Sequence, residues 1–127
     1  MCFAFFGLPL RPNYKGMRVL VVTETDACCG PMAAAFLNDY STSMEAVSAG
    51  RHPAQSVDAL TVVVMRECFA DLSAYQPRGL ESLDPSDFDA VYECPEGSFP
   101  ATVEEARSLR DYIKNEAYLF FCGLLRK

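Results

Sequence analysis

Apolar positions along the chain follow two patterns, unbroken short runs and steps of three or four. The first run, Arg18 to Val22, is almost continuously aliphatic behind one charge. A short Val-rich run of this kind suits a parallel strand covered on both faces. It opens the stretch Met17–Ala35, which reads as strand, polar loop Thr23–Gly30 and helix start. Pro31 sits where a first helical turn tolerates it. A strand feeding a helix through a small polar loop is a common ligand position in α/β proteins.

The rest of the chain continues in the same alternation. Helix-type spacing predicts a first helix over 31–40, with Met32, Ala35, Phe36 and Leu37 inward and Ala33–Ala35 allowing close approach to a sheet. A second strand is predicted around Ala46–Ser48, ended by Gly50. Ser56 or Asp58 can cap a second helix that places Val57, Leu60, Val64 and Cys68 on one face. A short third strand is expected near Gly79–Glu81. Asp84-Pro85-Ser86-Asp87 marks a turn or helix start, and Phe88–Tyr92 is a fourth strand. After the turn-rich CPEGSFP, Thr102 and Glu105 have capping-box spacing for a last helix. That helix carries Val103, Ala106, Leu109, Ile113, Ala117, Phe120 and Leu124 at i, i+3/i+4 steps. Leu119, Phe121 and Leu125 widen this face, which reads as deep burial. The order predicts an α/β fold, a three-layer α/β/α sandwich with a parallel sheet and helices on both faces.

Composition fits one globular domain. Half of the 127 residues are apolar and 22% are charged, a balance that excludes a disordered chain. Seventeen acidic against eleven basic residues give a net charge of −6, which argues against nucleic acid or an anionic membrane as partner. No apolar run reaches the ~18–20 residues of a membrane span. Residues 1–16 form an N-terminal extension to a domain over 17–127. The apolar part of that extension has no basic flank or cleavage pattern, so no secretory signal is expected. Its Phe3, Phe5 and Phe6 are expected to pack onto the domain or a partner. Cysteines stand at 2, 28, 29, 68, 94 and 122, with no C-x-x-C pair and no Cys/His zinc spacing. They read as cytosolic thiols, so a cytoplasmic location is expected. Cys68 and Cys122 fit buried small hydrophobes. His52, the one histidine, reads as an exposed turn residue. No nucleotide-binding glycine motif occurs, and no cofactor is expected.

Four blocks, VLVV…PMAAAF, VSAGRHPAQSVDAL, FADLSAYQP and DFDAV, together resemble the low-molecular-weight protein tyrosine phosphatases and their arsenate reductase relatives. The resemblance runs from Arg18 to about Cys94 and implies a short four-stranded parallel sheet flanked by helices. It also implies an active-site loop C-x5-R-[ST], in which a cysteine thiolate attacks the oxyanion and arginine with backbone N–H groups cradles it. Thr23 then falls at the nucleophile, Cys29 at the arginine and Gly30 at the following hydroxyl. No cysteine of this chain has an arginine six positions on. The family's general acid, an aspartate in an Asp-Pro loop after the fourth strand, is also missing, because Asp84-Pro85 precedes that strand.

A threonine hydroxyl is a far weaker nucleophile than a thiolate, and without arginine the bidentate anion clamp is gone. Glu24 and Asp26 add negative charge that a helix N-terminus, worth about half an elementary charge, does not offset. The candidate ligand loop therefore comprises Thr23, Glu24, Thr25, Asp26, Ala27, Cys28, Cys29 and Gly30, with phosphate or arsenate disfavoured. The leading expectation is a catalytically inactive scaffold or partner-binding protein, its partner an unidentified protein. Self-association through the N-terminal segment or the last helix is the other partner expectation. One alternative is a thiol-based redox enzyme, including a relay through Cys29 and Cys94, or a soft-metal or arsenic(III) binder using Cys28 and Cys29. Residual phosphatase or arsenate reductase activity is the further alternative.

Overall fold

The computed structural model describes residues 16–126, so the expectations for Cys2, Phe3, Phe5 and Phe6 lie outside the described residues. Strand β1 (Met17–Thr23) is the centre of a parallel sheet in the order β2-β1-β3, with β2 at Met44–Gly50 and β3 at Ala90–Glu93. β1 pairs with β2 along seven residues, from Met17 opposite Met44 to Thr23 opposite Gly50. Flanked on both sides, β1 has all of Val19–Thr23 buried, which is why it reads as a run without alternation.

Alternation of side chains along β1 divides the core in two. Val19 and Val21 face a large cluster to which α1 (Cys29–Tyr40), α2 (Ala59–Arg66) and α3 (Val103–Leu125) contribute. Leu20 and Val22 face the other way and pack with Ala49 under Leu80, Leu83 and Phe88. The strand order reverses at β1, so a right-handed β2→β3 connection must cross the face opposite α1. Residues 80–88 make that passage, folded as two 3-10 turns, Leu80–Ser82 and Pro85–Asp87.

These features adjust the expected layout while keeping its class. Among the described residues the sheet has three strands rather than four. The expected strand near Gly79–Glu81 is a single bridge, Gly50 to Gly79, that passes straight into a 3-10 turn. The α-helices gather on one face, and the second face is covered by 3-10 turns instead of helices. Asp84 does cap its turn, accepting from the Ser86 amide at 3.0 Å.

Helix α1 starts two residues earlier than its proline indicates, at Cys29, and is buried from Cys29 to Asn38. A helix enclosed on all sides needs small residues, and Ala33–Ala35 supply them. The side-chain amide of Asn38, buried at the far end of this run, donates to the Ala46 carbonyl at 3.0 Å and accepts from the Ala46 amide at 2.8 Å. It thereby pairs backbone groups on the outer side of edge strand β2. Helix α2 is capped by Asp58, which accepts from the Thr61 amide. In α3, Thr102 Oγ1 accepts from the Glu105 amide at 3.1 Å, and Glu105 reaches back to the Ala101 amide at 2.9 Å. Ala106, Ile113, Ala117 and Leu124 of α3 are buried as expected. Leu119 and Leu125, expected inside, are 56% and 69% exposed, because the apolar stripe is wider than the surface it packs on.

Candidate functional site

In an open parallel sheet, ligands bind beyond the carboxyl ends of the strands where the order reverses. Here that place lies between the loop after β1, residues 23–30, and the connection after β3, residues 94–102. The first loop is held by its carbonyls. Those of Thr23, Glu24, Thr25 and Ala27 accept the amides of Arg51, His52, Ala54 and Asp58 at 3.0, 2.7, 3.0 and 2.8 Å. The loop lies so close to the end of β2 that a Cβ on Gly50 would stand 2.8–2.9 Å from Thr25 and Asp26 backbone atoms and the Glu24 carbonyl.

Because C=O and N–H of one peptide unit point opposite ways, this arrangement turns the amides of Glu24, Thr25, Asp26 and Cys28 away from the 50–58 segment. Successive amides on one side form an anion-binding concavity. The Asp26 amide is taken by Thr23 Oγ1 at 3.0 Å. The Thr25 amide is taken by Glu96 Oε1 at 3.1 Å, and the Thr25 hydroxyl donates to Glu96 Oε2 at 2.8 Å. A bidentate carboxylate from the far side of the site therefore sits on the loop.

Thr23 is buried, its hydroxyl engaged within the loop. Asp26 adopts a left-handed conformation with φ 55° and directs its carboxyl beneath the loop rather than out of it. Its Oδ2 accepts from Tyr75 Oη at 2.5 Å and from the Arg78 amide at 2.9 Å, and Tyr75 in turn meets Ser48 Oγ at 3.0 Å. Among the described residues Asp26 Oδ1 has no hydrogen-bond partner. Burial raises the Asp26 carboxyl above its ordinary value of 3.8, against the lowering by Tyr75, Ser48 and Arg78. A buried carboxyl with one unpaired oxygen favours its neutral form. Asp26 is thus a structural support, and the negative charge expected of it is not presented at the mouth of the loop.

The two cysteines diverge. Cys28 Sγ accepts from Thr61 Oγ1 at 3.1 Å, and burial pushes its thiol up to about 12. Cys29 Sγ lies 3.5 Å from the Pro95 carbonyl, and its hydrogen bond with the Cys94 side chain, followed by burial, raises its thiol strongly. Both are protonated thiols at neutral pH. Among the described residues no group of three or more His, Cys, Asp or Glu side chains is placed to hold a metal ion. Gly30 leaves room for Thr23, since a Cβ there would lie 2.9 Å from Thr23 Oγ1.

A cavity of about 280 Å3 opens beside the loop, lined by Thr23, Glu24, Arg51, Glu93, Pro95 and Glu96 among others. Each acid of this mouth has a partner inside the chain: Glu24 pairs with His52 Nδ1, Glu93 with Arg51 at 2.9 Å, and Glu96 with Thr25. His52 is an exposed turn residue, as its surroundings predict, with Glu24 as its partner. Sequence reasoning marked the loop but missed Glu93, Glu96, Arg51, Tyr75 and Ser48.

Residues 18–117 match the family model described as low molecular weight phosphotyrosine protein phosphatase. Among solved structures, a low molecular weight protein tyrosine phosphatase from T. tengcongensis superposes with a TM-score of 0.74 at 19% identity, over 85% of this chain and 99% of that one. An arsenate reductase in the phosphate binding state gives 0.73 at 16% identity, over 84% and 98%. The YwlE arginine phosphatase from Geobacillus stearothermophilus gives 0.64 at 18%, over 87% and 96%. No curated protein matches the sequence.

The Asp26 environment has a measurable consequence. A folded-state pKa raised above 3.8 gives a contribution to stability that is complete below that value and is lost as pH rises through the folded value. Asp26→Asn keeps the acceptor for Tyr75 and Arg78 and cannot ionise. Its melting temperature relative to wild type should therefore climb as pH is raised from 4 to 8. A difference that stays constant over that range would show that Asp26 is not held in a raised state.

Proposed function

The chain belongs to the low molecular weight phosphotyrosine protein phosphatase family, and on that premise we propose that it is a catalytically inactive member acting as a scaffold or by binding a protein partner. One observation carries this reading. By the family resemblance Thr23 falls at the nucleophile's place and Cys29 at the arginine's, and Thr23 is buried with its hydroxyl already accepting the Asp26 amide. A thiolate and a guanidinium are both needed to attack and to clamp an oxyanion, and this loop supplies neither. The partner part of the reading draws on α3, where Tyr118, Leu119 and Leu125 are half or more exposed on a surface whose neighbour Tyr40 packs edge-on to Tyr118. Among the described residues no helix is long and apolar enough to cross a membrane.

The purified protein should show no turnover of an aryl phosphate and no thiol-dependent reduction of arsenate, with Thr23→Ala indistinguishable from wild type. Turnover that disappears on Thr23→Ala would overturn the reading.

A second reading is favoured by the meeting of Cys29 and Cys94, which join the start of α1 to the end of β3. A peroxide could accept two electrons and two protons from this pair, forming one disulfide while the peroxide is reduced to water. The raised thiol of Cys29 makes the reaction slow at neutral pH and faster as pH rises. Peptide mapping after peroxide treatment should then find a Cys29–Cys94 cross-link, absent in Cys94→Ser. Both thiols remaining alkylatable after prolonged oxidation would remove this reading. The soft-metal alternative has less support, because Cys28 and Cys29 turn their sulfurs to different partners.

A further inference from the structure

Two donor groups meet acids that line the cavity beside the loop: the Arg51 guanidinium from the segment after β2, itself in the lining, and the amide and hydroxyl of Thr25, which bond the lining residue Glu96. Both are filled from a single short stretch. Glu96 takes the Thr25 amide and hydroxyl, and Glu93, three residues earlier, takes Arg51 through both oxygens at 2.9 and 3.2 Å. These contacts span 71 and 42 residues of sequence, so they tie the β3 end to two separate elements rather than completing a local turn. Between the two acids lie Cys94, anchored by its amide to the Val22 carbonyl at 2.9 Å, and the exposed Pro95. A backbone fixed at Cys94 and stiffened at Pro95 presents the two carboxylates to two donors at once.

We propose that Glu93–Glu96 is an autoinhibitory acidic strap, whose carboxylates occupy from within the chain the donors that would otherwise receive an external phosphate-like oxyanion. Arg51 then replaces, from another element, the cation that the loop itself lacks at position 29. The strap is built to be displaced. The Arg51–Glu93 pair is exposed on both sides, at 46% and 64%, and a pair so placed is weak and screened by salt. Glu96 is half-buried and held by two hydrogen bonds, which makes it the stronger half. An entering oxyanion must displace both carboxylates, and their charge opposes its approach, so the closed form refuses a ligand that the underlying donors could hold. The strap deepens the preceding reading and rests on it in one respect: an oxyanion bound here meets no thiolate and leaves unchanged. Binding and turnover are therefore separate readouts.

The test uses the full chain and inorganic phosphate as probe, followed by the amide resonance of Thr25. The double variant Glu93→Gln/Glu96→Ala should bind phosphate at least roughly ten-fold more tightly than wild type, with saturable movement of the Thr25 resonance and still no phosphate-ester turnover. Adding Arg51→Gln to that background should abolish the gain. Where the double variant folds poorly, the single Glu93→Gln at an exposed side chain should still give a smaller gain that Arg51→Gln removes. Phosphate affinity equal to wild type in these variants would overturn the proposal. So would a gain that survives Arg51→Gln, since that would be a general charge effect. Appearance of turnover would instead count against catalytic inactivity and leave the strap standing.

Discussion

The site depends on the attachment of the 23–30 loop to the segment after β2. Four loop carbonyls accept hydrogen bonds from the amides of Arg51, His52, Ala54 and Asp58, and the absence of a side chain at Gly50 lets the two backbones meet. This one ladder fixes which way every peptide of the loop faces. Once the carbonyls are committed on one side, the amides must face the other, whatever side chains the loop carries. The cradle-like shape is therefore a property of backbone pairing at the end of a parallel sheet.

Electrostatics then decides what the shape can do. A cradle of amides and a helix N-terminus attract an anion with about half an elementary charge, and no loop cation adds to this. The chain supplies its own anion in Glu96 and neutralises Arg51 with Glu93. The loop's own acids are disposed of separately, Glu24 to His52 at the surface and Asp26 beneath the loop against Tyr75. Asp26 also shows how a buried polar group is tolerated: its Oδ2 is well satisfied, its Oδ1 finds no partner among the described residues, and burial shifts it towards the uncharged carboxyl.

Much of the fold was legible from local pattern. The aliphatic run at Arg18–Val22, the caps at Asp58, Asp84 and Thr102, and the stripe through Ala106, Ile113 and Ala117 all announce their elements, because each is decided by neighbours in sequence. The expected strand at Gly79–Glu81 failed for the opposite reason: one bridge to Gly50 was available and no continuing partner. The outward Leu119 and Leu125 could not be foreseen, since periodicity gives the width of an apolar stripe and not that of the surface beneath it. At the site, the loop was found because strand, polar turn and helix start are contiguous. Glu96, Arg51 and Tyr75 reach it from 71, 28 and 49 residues away along the chain, and no local signal marks a side chain that acts at such a distance. Asp26 was placed in the right loop but given the wrong direction, because charge can be counted in a sequence and orientation cannot.

On the reading proposed above, the phosphatase-family frame persists here while its anion-binding capacity is closed off from within. The most direct measurement is a calorimetric titration of the wild-type chain with orthovanadate, an oxyanion that adopts the five-coordinate geometry of phosphoryl transfer. No saturable heat is expected at millimolar vanadate. Saturable binding in the micromolar range, lost on substitution within residues 23–30, would contradict it.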